Sequence, residues 1–256
     1  MISSHLRRIY KNNYFKLFML FLLLLPSVEI AFHIYTIVAF QFPIPNPYSA
    51  FFLAATTRGH IIQAIYLWFL PIYFLIFASG DTVQDYKTGY ISILISKIGK
   101  RKYFREKIFV SFWVPFFIMF FSLILNLILC YAIFNGGTSI PYDIRTVPGD
   151  ILYNASIQHP FLANLGFLLV TSLFAGLSGI IGASFSFLFK KNEYVYPSAF
   201  LLWFLLVLKK DSLMYLFQPF AEYDFEVLIP IFLIAVVIFI LLWVISYIVE
   251  VKCREV

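Results

Sequence analysis

Two places in this sequence hold side chains whose types and spacing could do chemistry within an apolar chain. Glu29 and His33 stand four residues apart in the run Leu17–Phe40, so a helix there carries both on one face. A carboxylate at membrane depth costs about 2.5–3.5 kcal/mol on insertion scales unless something pairs with it. The pair is either a polar element of a translocation path or coupled proton site, or a structural pair whose glutamate reaches water near an outer vestibule. The second place is Gly176-Leu177-Ser178-Gly179, where the serine could act as a nucleophile inside a span. That chemistry needs a histidine base brought from a later helix. His5, His33, His60 and His159 all precede Ser178 and none follows it, so the motif reads as packing instead.

Nothing in the chain matches the phosphate-binding pattern G-x-x-x-x-G-K-[ST]. Cys130 lies in an apolar run and Cys253 in a polar tail, so a disulfide is not expected and neither has metal-ligand spacing. No catalytic residue, no metal and no cofactor are expected in this chain.

The elements that must position these residues are membrane helices. A hydrophobic fraction of 62%, 12% charged residues and a mean hydropathy of +0.88 exclude a soluble globular domain. Apolar runs of about 20 residues match a hydrocarbon core about 30 Å thick. Six such runs are read: 17–40, 61–79, 108–134, 161–189, 194–208 and 227–249. The fifth is short, and the apolar segment Ser212–Phe220 after it is too short to cross, which predicts a re-entrant excursion buried by protein. Gln41–His60, with Pro43, Pro45 and Pro47, and Asn135–His159, rich in turn residues, read as external loops. In the fourth run Ala175, Gly179, Gly182, Ala183 and Ser186 recur at close helical spacing and predict a helix-packing face.

Of the 19 Lys and Arg residues, 15 fall on the side of the termini, the 81–107 stretch and Lys190-Lys191. The positive-inside rule then puts both termini in the cytoplasm. The net charge of +6 is thus a topology signal, and no nucleic-acid partner is inferred from it. Residues 1–16 carry Arg7, Arg8, Lys11 and Lys16 and no acid, which suits an interfacial helix on anionic lipid. A cleaved signal peptide does not fit, because the apolar run that follows is too long for an h-region and lacks a small-x-small site. The fold expected is a single all-α transmembrane domain in a cell membrane, and the Lys-, Ile- and Phe-rich composition points to an AT-rich bacterial genome.

Between the second and third runs lies DTVQDYKTGYISILISKIGKRKYFREK, residues 81–107, with seven of the basic residues. Asp81 and Asp85 stand near the start of a helix, where carboxylates favour the dipole. Tyr86, Tyr90, Ile93, Leu94 and Lys97 follow at helical spacing, Gly99 ends the helix, and Lys100-Arg101-Lys102 marks the headgroup level. Such a helix is either a plain interfacial helix or one that fits a groove in a soluble partner.

In this stretch the chain resembles the type-2 ABC exporter permease family. The resemblance rests on Asp85, Thr88-Gly89, Ile93-Leu94-Ile95-Ser96, Lys100-Arg101-Lys102, Tyr103 and Lys107, in that order. It departs from the family in having Gly99 where a proline often stands. The resemblance implies a coupling helix over Tyr86–Ser96 that docks an ATP-binding subunit through Asp85, Tyr86, Thr88, Gly89, Tyr90, Ile93 and Leu94. It also implies a separate ATPase polypeptide carrying ATP and Mg, and a second permease copy or paralogue to complete the path. The rival expectation is an ATP-independent secondary transporter or channel subunit using Glu29 and His33.

Overall fold

The computed structural model describes residues 6–7, 10–11, 13–54, 61–78, 80–139, 150–220 and 223–253. Ten α-helices account for most of them: α1 Asn13–Phe40, α2 Ile61–Trp68, α3 Leu70–Ala78, α4 Gly80–Lys87, α5 Tyr90–Ile98, α6 Lys100–Ile133, α7 Ile151–Gln158, α8 Pro160–Leu188, α9 Asn192–Leu208 and α10 Phe225–Tyr247. Two 3₁₀ turns, Phe52–Ala54 and Leu213–Phe217, and a closing π turn, Ile248–Cys253, complete the set. Among the described residues no strand forms; Pro45 and Ser139 make one isolated bridge. The protein is an all-α membrane protein. Four segments, Phe15–Phe40, Lys100–Ile133, Pro160–Leu188 and Phe225–Lys252, are each long and apolar enough to cross a bilayer. Helices are the form such runs must take, since hydrocarbon offers no partner to a free N–H or C=O.

The run 61–79 is not one helix. It breaks between α2 and α3 at Phe69, two residues ahead of Pro71. The run 194–208 becomes α9, whose 17 residues span about 25 Å, so it too falls short of the four long segments. Helix α8 is the most enclosed of those four, packed against α3, α6, α9 and α10.

Mid-span prolines shape the bundle through the carbonyls they release, since a proline has no N–H for the oxygen four residues earlier. Pro26 releases the Leu22 carbonyl, which accepts from Tyr66 Oη at 3.1 Å and from Ser122 Oγ at 2.7 Å. Pro71 releases the Leu67 carbonyl, which accepts from the Trp203 indole at 3.2 Å. Pro115 releases the Ser111 carbonyl, and that oxygen lies against Gly179, where a Cβ would overlap it. For Leu22 and Leu67, side chains on neighbouring helices thus take over for the missing amides and tie the helices together.

The loop expected over Gln41–His60 proves buried over 50–54. Ala50, Phe51, Phe52 and Leu53 are almost inaccessible, enclosed between α1, α6 and α8. Four side chains from three surrounding helices meet the polar groups of its backbone. Asn126 Oδ1 accepts from the Phe52 amide at 3.0 Å, Cys130 Sγ donates to Ala50, Asn164 Nδ2 donates to Tyr48, and Gln63 Nε2 donates to Leu53. This is irregular backbone tolerated because protein, not lipid, surrounds it. Residues 55–60 lie outside the described residues. The loop expected over Asn135–His159 is corrected as well: 151–158 is helical and forms α7.

The segment expected to re-enter, Ser212–Phe220, forms the 3₁₀ turn Leu213–Phe217 with Leu213, Met214, Leu216 and Phe217 buried. Phe217 stacks on Trp203 and meets Phe174 edge-on. Ser212 caps the turn, its Oγ accepting from the Met214 amide.

Candidate functional site

The polar stretch folds differently from the single helix its spacing suggests. Helix α4, Gly80–Lys87, carries Asp85 and Tyr86, and α5, Tyr90–Ile98, carries Tyr90, Ile93 and Leu94. Thr88 and Gly89 form the corner between them. Gly89 sits at φ +70°, a left-handed conformation that a side-chained residue rarely adopts, and this is why the helix stops. Gly99, also at positive φ, closes α5 as the sequence suggests. The basic residues Lys100-Arg101-Lys102 form the first turn of α6, which runs unbroken to Ile133.

Six of the seven residues expected to dock a partner divide into two groups. Thr88, Gly89, Tyr90 and Ile93 are exposed, Ile93 by 52%. Leu94 and Asp85 are buried, 6% and 1% exposed, and face inward. Leu94 and Ile91 pack into a cluster with Tyr103, Phe104, Ile108, Ala183 and Phe187, where α5 meets the near ends of α6 and α8. Phe104 lies 4.6 Å from Phe187, ring centre to ring centre. Asp85 Oδ2 accepts from Tyr103 Oη at 3.2 Å, so the acidic residue anchors α4 to α6 rather than reaching outward.

Tyr86 has a third role. It is half-buried, donates its hydroxyl to Glu250 in the closing π turn, and lies beneath Lys190 Nζ, 4.6 Å from its ring centre. Three segments far apart in sequence meet at this ring. Lys107 is buried beside the cluster. Sequence reasoning named Tyr86, Tyr103 and Lys107, but gave no role to Glu250 and read Lys190 only as a sign of topology. A carboxylate in a polar tail carries no periodic signal, so Glu250 could be found only through its contact.

Glu29 is buried in α1, only 5% exposed. His33, one turn on, is half-buried and turns its ring edge toward Phe134 with 6.0 Å between centres. The small residues of α8 do what their spacing predicts. Ala175, Ala183 and Ser186 are fully buried. A Cβ on Gly179 would come within 2.8 Å of Pro115 Cγ, and one on Gly182 within 2.8 Å of Leu75 Cδ2. Ser178 is buried with its hydroxyl donated to the Ala175 carbonyl at 2.7 Å, as a packing residue and not as a free nucleophile.

Over 242 residues the chain is 42% identical to the Bacillus subtilis (strain 168) protein called "Uncharacterized protein YybM", with 94% of each chain covered. The chain belongs to the YybM family. At that coverage the likeness takes in nearly the whole chain rather than one motif. No family model matches the chain, and no solved structure matches it.

Proposed function

We propose that this YybM-family chain is the membrane subunit of an ATP-driven exporter of the type-2 ABC permease kind. In this reading six segments span a bacterial cell membrane with both termini cytoplasmic. They are the four long helices, the broken pair α2–α3, and the short α9 completed by its re-entrant turn. A second permease completes the path, and a separate ATP-binding subunit supplies ATP and Mg.

The observation that supports it is the division of α5. Ile91 and Leu94 are rooted in the Tyr103–Phe104–Phe187 cluster, while Ile93 turns outward, 52% exposed, with Tyr90 partly exposed beside it. A nine-residue helix anchored through Ile91 and Leu94 and exposing Ile93 fits a groove in a soluble partner. Its rigid base gives the partner's motion a path. A push on Tyr90 and Ile93 passes through Leu94 to Phe104 on α6 and Phe187 on α8, and so tilts two long spans together. Hydrolysis belongs to the partner, and this chain contributes the lever.

The test is purification of the chain from its native membrane in mild detergent, with identification of what accompanies it. A stoichiometric soluble ATPase with a phosphate-binding loop is the expected companion. The second reading, a transporter or channel subunit running without ATP, draws on the burial of Glu29. It gains ground if the chain purifies alone and Glu29→Gln stops ATP-independent transport.

A further inference from the structure

A cavity of about 360 Å³ opens between the first two turns of α6 and the last two of α10, lined by Arg101, Lys102, Phe104, Arg105, Ile108, Trp243 and Tyr247. Its chemistry is split by height. Arg101, Lys102 and Arg105 form an exposed cationic rim, and among the described residues no carboxylate lines it. Below them Phe104 meets Tyr247 edge-on at 5.4 Å, with Ile108 and Trp243 continuing the apolar wall.

The depth of the cavity follows from helix length. Helix α6 has 34 residues and so runs about 51 Å, whereas the hydrocarbon core takes up about 30 Å. Its basic first turn therefore stands outside hydrocarbon, at headgroup level, while Ile108 lies near the boundary. Trp243 and Tyr247, one turn apart, are the amphipathic rings that settle at that boundary. Phosphate is the anion an arginine fork binds best, and an apolar wall directly beneath it calls for a ligand with a tail.

We infer that this cavity is a binding site for one anionic glycerophospholipid, its phosphate held by Arg101, Lys102 and Arg105 and an acyl chain laid along Phe104, Ile108 and Trp243. The lipid occupies the seam between α6 and α10 and braces the Phe104 ring that also meets Phe187. A free phosphate would satisfy the rim and leave the apolar wall wet, which is why a lipid is the occupant. This inference stands on the membrane embedding of α6 and α10 and does not require an ATPase partner.

The experiment is native mass spectrometry of the detergent-purified protein offered phosphatidylglycerol and phosphatidylcholine in equal amounts. Wild type is expected to retain phosphatidylglycerol in preference. The variant R101Q/K102Q/R105Q, altered only at exposed side chains, is expected to bind it about a hundred-fold more weakly. Quenching of tryptophan fluorescence by acyl-brominated phosphatidylglycerol is expected to fall in Trp243→Phe, which locates the lipid among the four tryptophans. Equal retention of the two lipids, undiminished binding by the triple variant, or unchanged quenching in Trp243→Phe overturns the inference. So does displacement of the lipid by inorganic phosphate, which would make the rim a free-anion site.

Discussion

The indole N–H of Trp203 on α9 donates, at 3.2 Å, to the backbone carbonyl of Leu67, the oxygen that Pro71 leaves without its helical donor. Trp203 is fully buried and also stacks on Phe217 and Phe239. The broken α2–α3 pair and the short α9, each inadequate alone as a span, are thereby joined at the weak point of one of them.

Trp203→Phe keeps much of the aromatic packing and removes the donor. It is expected to destabilise the protein by about 1–3 kcal/mol, because a buried carbonyl is left unmet. Pro71→Ala restores a main-chain N–H at that point, so Trp203→Phe in the Pro71→Ala background is expected to cost about 1 kcal/mol less. Thermal unfolding of the four proteins in detergent measures the difference. Equal cost in both backgrounds assigns Trp203 to packing alone.

Gly179→Ala places a methyl on the Ser111 carbonyl and against Pro115. Helices α6 and α8 must part, at an expected cost of about 1–3 kcal/mol. Gly166→Ala, on the same helix with nothing within 4 Å of its Cβ position, is the control and is expected to be neutral or slightly stabilising. Unfolding midpoints of the two variants read the contrast.

Asp224 caps two helices at once. Its carboxylate accepts from the Phe225 amide of α10 and from the Leu152 and Ile151 amides of α7. These bonds, the one from Phe225 foremost, hold its pKa below the ordinary 3.8, against a smaller opposing effect of burial. A lowered folded-state pKa means the ionised form favours folding. The contribution is whole above the ordinary value and is lost as pH falls beneath it through the lowered one. In acid titrations below that value, Asp224→Asn is expected to lose part of the wild-type decline in unfolding midpoint. Parallel curves would show the carboxylate charge to be idle.

Much of the helical frame was legible because a bilayer demands long apolar runs, and α1, α6, α8 and α10 follow them within a few residues at most ends; α6 starts eight residues early. The packing face of Ala175, Gly179 and Gly182 was legible for a like reason, since close helix approach needs small residues at helical spacing. The buried 50–54 segment was not. Pro43, Pro45 and Pro47 signal a loop, and nothing local tells that Asn126, 74 residues away, will receive the Phe52 amide. The same holds for Tyr86 and Glu250, 164 residues apart. Helical spacing across Thr88-Gly89 misled, because periodicity continues through a corner that one left-handed glycine makes.

That corner decides which side chains test the central claim. Asp85 and Leu94 are committed to the protein's own interior, so changing them confuses folding with docking. Tyr90 and Ile93 are exposed and, in the proposed reading, are the side chains that meet the partner. The decisive measurement is a mild-detergent pull-down of wild type and of Tyr90→Asp/Ile93→Asp from native membranes, after equal membrane levels are verified. The account predicts a stoichiometric ATPase with wild type and its loss, by about ten-fold or more, with the double variant. A variant that keeps the ATPase, or a wild type that brings down none, contradicts it.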